Sequence, residues 1–291
     1  MATKSQVPQG KALSLISSSI STLASNKIIL FPLCITVFIQ LLILEILYFS
    51  PRWPLKVFFD PIIRTFWPEK YLHYPSHLML LPKLWQMVQD PLFVLISSYF
   101  VAVAIGIIAM INSGKKVRPA LVIKETLSFY IHIVVAIALS LLVVKAGSWV
   151  HNLVIQRAFL IRSGSGIFYW IKRIIIDGAP YFNLLLNVIV SSLFAYVLPI
   201  IVIEKKKVFP ALLQNFKMFF GSVWPTFLIV LIPSLSYILI ILLFSSSFSL
   251  EETFPEMRIW ILVLSVFISF AIDAVVYTAI TIFYLLKKEQ K

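Results

Sequence analysis

The sequence predicts an all-α, polytopic membrane helix bundle of six spans, with short cytoplasmic interfacial helices and three pseudo-repeats. Three observations predict it. First, 60% of the 291 residues are hydrophobic and 13% charged, with a mean hydropathy of +0.97. Soluble chains are typically ~45–50% apolar and ~25% charged. Second, six apolar runs reach the ~20 residues that a helix needs to cross a bilayer. Third, a heptapeptide recurs: KKVRPAL at 115–121 and KKVFPAL at 206–212, each just after an apolar run.

The runs lie at 28–49, 92–112, 126–147, 181–203, 223–245 and 259–285. They are continuous and lack the alternation of membrane β-strands. The first run follows Lys4, Lys11 and Lys27, as a signal peptide would. It is too long for a typical h-region and ends Leu47-Tyr48-Phe49-Ser50-Pro51, without a small-x-small cleavage site, so it reads as a retained span. Cys34 is the only cysteine, which excludes an intrachain disulfide and a cysteine metal cluster.

Each pseudo-repeat reads as an in-plane helix, an outward span, an outer loop and a returning span. The units lie near 11–112, 119–203 and 210–285, within one integral membrane domain spanning 1–291. The clearest in-plane helix is 209–220. At 100° per residue, Phe209, Leu212, Leu213, Phe216, Phe219 and Phe220 share a face, with Gln214 and Asn215 opposite. Pro210 falls near its first turn, where a missing N–H costs little. Residues 119–125 begin a weaker version after Pro119. In a third, 11–24, Ala12, Leu13, Ile16, Ile20 and Leu23 oppose Ser14, Ser17, Ser18, Ser21 and Thr22. The returning spans echo one another too, Ser97-Ser98-Tyr99-Phe100 against Ser191-Ser192-Leu193-Phe194.

Net charge is +13 and the pI near 9.8. In a soluble protein that balance points to nucleic acid; here it reads as topology, and no nucleic acid is expected. With the N-terminus inside, the cytoplasmic segments hold 14 Lys and Arg in 65 residues, the outer segments 10 in 88. The clusters Lys115–Lys116–Arg118, Lys205–Lys206–Lys207 and Lys287–Lys288 then lie inside, and Glu251, Glu252 and Glu256 outside. Both termini are therefore expected in the cytoplasm, with the protein in the cell (inner) membrane. The expected partners are the lipid bilayer and anionic headgroups at Lys115, Lys116, Lys205, Lys206 and Lys207. The sequence names no protein partner. Outer loops rich in Trp53, Trp67, Trp85, Tyr169 and Trp170 are expected to hug the outer leaflet. Pro51, Pro54, Pro61, Pro68, Pro75 and Pro82 exclude one long helix in the first of them. Pro199, Pro225 and Pro233 are expected to kink the fourth and fifth spans.

Three stretches carry a family resemblance: the exit Pro199-Ile200-Ile201-Val202-Ile203-Glu204, the proline-led helix 209–221, and Tyr277-Thr278-Ala279-Ile280-Thr281-Ile282-Phe283-Tyr284. The chain resembles the membrane domain of glycerophosphoryl diester phosphodiesterases and the related uncharacterised, YciC-like six-span bacterial proteins. The resemblance implies an all-helical six-span fold and brings no catalytic residues. In those phosphodiesterases catalysis belongs to a separate soluble barrel, and no segment here can supply one.

Ionisable groups inside spans cost ~2.5–3.5 kcal/mol on insertion scales and are functional candidates by default. Glu45 and Lys145 lie near the outer ends of the first and third spans and are expected to approach each other. Asp273 lies mid-span in the sixth, with Ser191 and Ser192 of the fourth at a matching depth. Two readings of Asp273 stand: a protonated, hydrogen-bonded structural residue, or a proton- or ion-coupling group. No phosphate loop, HExxH or CxxC occurs. His73 and His77 have metal-ligand spacing, but Pro75 between them opposes a regular helix. Neither metal nor cofactor is expected, nor an enzyme. The first functional reading is a non-enzymatic membrane protein that organises or senses the membrane or binds a partner. The alternative is a small transporter for an amphipathic or lipid-like substrate, coupled through Asp273. An intramembrane enzyme acting on lipid headgroups ranks third.

Overall fold

The structure, a computed structural model, describes residues 12–160, 166–247 and 254–290. Lys4, Lys11, Arg162, Glu251 and Glu252 lie outside the described residues. Every regular element among those described is helical. In chain order the α-helices are α1 (Ala12–Ser25), α2 (Leu30–Tyr48), α3 (Lys56–Phe66), α4 (Ser76–Leu92), α5 (Ser98–Asn112), α6 (Pro119–Ser128) and α7 (Tyr130–Leu160). There follow α8 (Ile167–Asp177), α9 (Ala179–Leu193), α10 (Val197–Glu204), α11 (Val208–Phe220), α12 (Val223–Ser234), α13 (Ile238–Ser247) and α14 (Met257–Glu289). A π-helical stretch, Phe93–Ser97, joins α4 to α5, and a 3₁₀ turn, Leu235–Tyr237, joins α12 to α13.

Six helical segments are long and apolar enough to span a membrane: Lys27–Tyr48, Ser76–Asn112, Tyr130–Phe159, Ala179–Glu204, Val223–Ser246 and Met257–Glu289. This is a multi-pass integral membrane protein. The second and third helical segments are longer than their apolar runs. Pro82 and Pro91 lie inside α4, which starts well before the apolar run, and α7 continues past Lys145 through His151 and Arg157. Helix continues wherever backbone groups stay paired; apolarity marks only the part that lipid must cover.

The three returning spans form the centre. In their most apolar stretches, 61% of the second span and 56% of the fourth are buried, against 22%, 11% and 22% for the outgoing first, third and fifth. The sixth, at 28%, is enclosed mainly in its last half, where Ala274, Val276 and an unbroken run from Thr278 to Tyr284 are buried. α5, α10 and α14 touch one another pairwise. Their shared core holds Ala102, Ala104 and Ile105 of α5, Leu198, Ile200 and Ile201 of α10, and Ala279 and Ile280 of α14. Lipid tails are as apolar as these side chains, so close backbone approach rather than water exclusion holds such helices together.

Each short helix packs on a returning span: α6 on α5, α11 on α10, and α1 on α14. Gly106 makes the first of these possible. A Cβ there would meet Val122 Cγ1 of α6 at 2.6 Å. Tyr99 of α5 secures the same contact by donating from its hydroxyl to the Ile123 carbonyl at 3.0 Å. A second core, at the end away from the lysine clusters, gathers Leu44, Ile63, Leu78, Leu81, Trp85 and Leu262 from α2, α3, α4 and α14.

Candidate functional site

The fourth span is broken. α9 stops at Leu193, and Phe194–Tyr196 forms a turn before α10 resumes. Pro199 explains the position. It has no N–H to give to the carbonyl of Ala195, four residues back, and its ring crowds that carbonyl. Within α10 itself Pro199 lies in the first turn, where it is tolerated. Pro225 likewise falls in the first turn of α12, and the 3₁₀ turn follows Pro233.

A break in hydrocarbon leaves backbone groups that must find partners. Asn215 of α11, fully buried, supplies both halves. Its Nδ2 donates to the Leu193 carbonyl at 2.7 Å, and its Oδ1 accepts from the Tyr196 N–H at 2.9 Å. The buried Tyr196 ring then carries the network across to α12. Its hydroxyl bonds Thr226 Oγ1 and lies 3.4 Å from Ser222 Oγ. Thr226 Oγ1 donates to the Ser222 carbonyl and Ser222 Oγ to the Met218 carbonyl, each at 2.7 Å.

Eight residues past the break, Glu204 gathers a second cluster. One carboxylate oxygen accepts from Gln214 Nε2 at 3.1 Å and from the Tyr284 hydroxyl, and lies 3.5 Å from Lys288 Nζ. The other oxygen is 2.7 Å from Lys206 Nζ, which also donates to Gln214 Oε1 at 2.6 Å. The Glu204 side chain is only 15% exposed. It ties the end of α10 to α11 and to the end of α14. Lys205, in the left-handed region at φ 54°, turns the chain toward α11 and pairs with Glu125 of α6 at 3.1 Å. Lys287 Nζ reaches the Gly221 carbonyl between α11 and α12 at 3.4 Å.

The structure turns the polar flank of α11 toward the protein rather than toward water. Asn215 is buried and Gln214 half-buried, while Phe209, Leu213 and Phe220 are more than 70% exposed. Of the five lysines expected at headgroups, Lys205 and Lys206 are engaged by Glu125 and Glu204; Lys115, Lys116 and Lys207 are exposed.

The expected Glu45–Lys145 approach is replaced by another pair. Lys145 Nζ makes an ion pair with Asp90, at the end of α4, and Glu45 is exposed on α2. Asp90 precedes the apolar run, which begins at 92, but the helix that carries it begins at Ser76. Asp273 is half-buried at the middle of α14, and among the described residues no hydrogen bond or ion pair reaches it. Ser192 is buried but gives its hydroxyl to the Val188 carbonyl at 2.7 Å, and Ser191 is exposed. Asn215, Tyr196, Glu204, Gln214 and Tyr284 are not among the site residues that the sequence suggests. Pro199 inside an apolar run was the available signal for the first two, and Glu204 beside three lysines for the rest.

Comparison with protein-family models, with curated proteins and with solved structures finds no match to this chain.

Proposed function

We propose that this protein is a non-enzymatic membrane organiser or sensor. Its three short helices lie in the cytoplasmic leaflet, and both termini face the cytoplasm. The observation that carries the reading is Asn215 in the break of the fourth span. Discontinuous helices mark solute sites in many transporters, because free backbone groups there hold the cargo. Here the same groups are bound by the protein's own side chain. The outward apolar residues Leu13 and Ile20 of α1, Leu121 and Leu127 of α6, and Phe209, Leu213 and Phe220 of α11 suit acyl chains. Lys115, Lys116 and Lys207 suit anionic headgroups beside them.

A closed ring of three units supports the repeat. Short helices on α5, α10 and α14 give each returning span one such partner, and the helix of the first unit covers the returning span of the third. The resemblance to the membrane domain of glycerophosphoryl diester phosphodiesterases and to the YciC-like proteins remains part of this proposal, supported by the six-span helical order alone.

One observation favours the transporter alternative: Asp273 lies mid-span, beside Tyr277 one turn along, with no hydrogen bond or ion pair among the described residues. Reconstitution in vesicles of phosphatidylcholine with phosphatidylglycerol separates the two readings. The organiser reading predicts enrichment of phosphatidylglycerol around the purified protein and no proton flux attributable to it. Proton flux that Asp273→Asn abolishes, in a variant that folds normally, establishes the alternative instead.

A further inference from the structure

We propose that α11 is a lever worked by the acyl chains of the leaflet it faces, and that its load is the break in the fourth span. The proposal rests on the reading that the short helices meet lipid. Two sets of residues on one helix carry it. Asn215 and Ala211 are fully buried, and Asn215 holds Leu193 and Tyr196 at 2.7 and 2.9 Å. Phe209, Leu213 and Phe220 on the same helix are 71%, 74% and 71% exposed. No described segment covers them, and they continue the exposed apolar surface of α12 at Val223 and Trp224. Lys207 and Lys217, both exposed, flank the helix and favour an anionic headgroup layer over bare solvent. The occupant is therefore the lipid leaflet itself.

The two sets are mechanically linked because a 13-residue helix moves as one body. Outside Asn215, its side-chain tethers among the described residues are few: Gln214, at its middle, is held by Glu204 and Lys206, and Gly221, just past its end, by the long Lys287 side chain. Withdrawing the Phe209–Phe220 face with the lipid draws Asn215 off Leu193 and Tyr196. The freed backbone groups then either close into continuous helix, which Pro199 opposes, or open to water. Lipid packing thus acts on an element with two arrangements, and its differential contact with α11 is what shifts the balance.

The test uses the full chain, Cys34→Ser, one molecule per nanodisc, with spin labels at Ser191→Cys in α9 and Lys217→Cys in α11. The nanodiscs hold dioleoylphosphatidylcholine and phosphatidylglycerol, with or without lysophosphatidylcholine. The proposal expects the 191–217 distance to shift when lysolipid is added. It expects no shift when Phe209→Ser, Leu213→Ser and Phe220→Ser are combined, and a shifted or broadened distance without lysolipid in Asn215→Ala. A label at Leu213→Cys separately reads lipid contact, from its accessibility to oxygen against a water-soluble nickel complex. If that label sits in water, the underlying reading of the short helices fails. If it sits in lipid and the 191–217 distance ignores lysolipid, the lever fails alone. A distance that changes only when two molecules share a disc assigns the face to a second copy and overturns the lipid assignment.

Discussion

The second and fourth spans carry a similar local sequence, Ser-Ser-Tyr-Phe against Ser-Ser-Leu-Phe, and are distorted differently. In both, the second serine of the pair bonds back along its own helix, Ser98 to the Val94 carbonyl at 2.6 Å and Ser192 to the Val188 carbonyl at 2.7 Å. In the second span the helix widens into Phe93–Ser97 and continues. A π-helix still closes its own i→i+5 bonds, so the Tyr130 hydroxyl, at 2.7 Å from the Leu95 carbonyl, fills only a second lone pair. In the fourth span Pro199 withholds a donor and the helix parts, so the Leu193 carbonyl and Tyr196 N–H depend on Asn215. One residue type sets the difference between a helix that widens and one that needs a neighbour to complete it.

The largest effect is therefore expected at Asn215. Asn215→Ala orphans a buried donor and a buried acceptor, at about 1–3 kcal/mol each, so unfolding in mixed micelles should show a loss of about 2–6 kcal/mol. Adding Pro199→Ala should recover much of it, because position 199 regains an N–H and the helix can close over the gap. Strictly additive losses would mean that the proline does not cause the break.

Tyr130→Phe should cost far less. Interhelical side-chain hydrogen bonds in membranes average about 0.6 kcal/mol, and the Leu95 carbonyl keeps its place in the helix. A loss equal to that of Asn215→Ala would erase the distinction between the two spans. Five residues before Leu95 in the same second span, Asp90 pairs with Lys145, and the two side chains are 31% and 49% exposed. Polar contacts between helices in membranes are worth about 0.6 kcal/mol on average. Exchanging the two charges, Lys145→Asp with Asp90→Lys, should restore what either reversal loses, whereas exchanging Lys145 with Glu45 should not.

Spans, the short helices and the lysine ends were legible in the sequence because each is a local pattern of apolar runs, 100° periodicity and charge. The inner partners were not. Asn215 stands opposite the aromatic face of α11, and by periodicity alone that is a water-facing position; only the break at Phe194–Tyr196 gives it a buried use. Glu204 reads as one more charge at a helix end, and Tyr284 as an interfacial aromatic, until the fold brings α10 and α14 together. Lys145 was matched with Glu45 by depth, yet depth does not say which helices are neighbours. α7 approaches the α4–α5 span, and Asp90 is the acid on it. Asp273 lies midway along α14, but Ser192, its expected companion, turns its hydroxyl to its own helix.

The sealed break is the centre of this account, and water accessibility measures it most directly. With Cys34→Ser as background, Ala195→Cys places a thiol in the break, between the two backbone groups that Asn215 holds. Lys207→Cys serves as a control at the exposed lysine end. In sealed vesicles of known orientation, a membrane-impermeant thiol reagent should label Lys207→Cys from the lysine side and leave Ala195→Cys unmodified from either side. Ready labelling of Ala195→Cys from one side, with Asn215 intact, would mean an aqueous path into the broken span and would contradict the account.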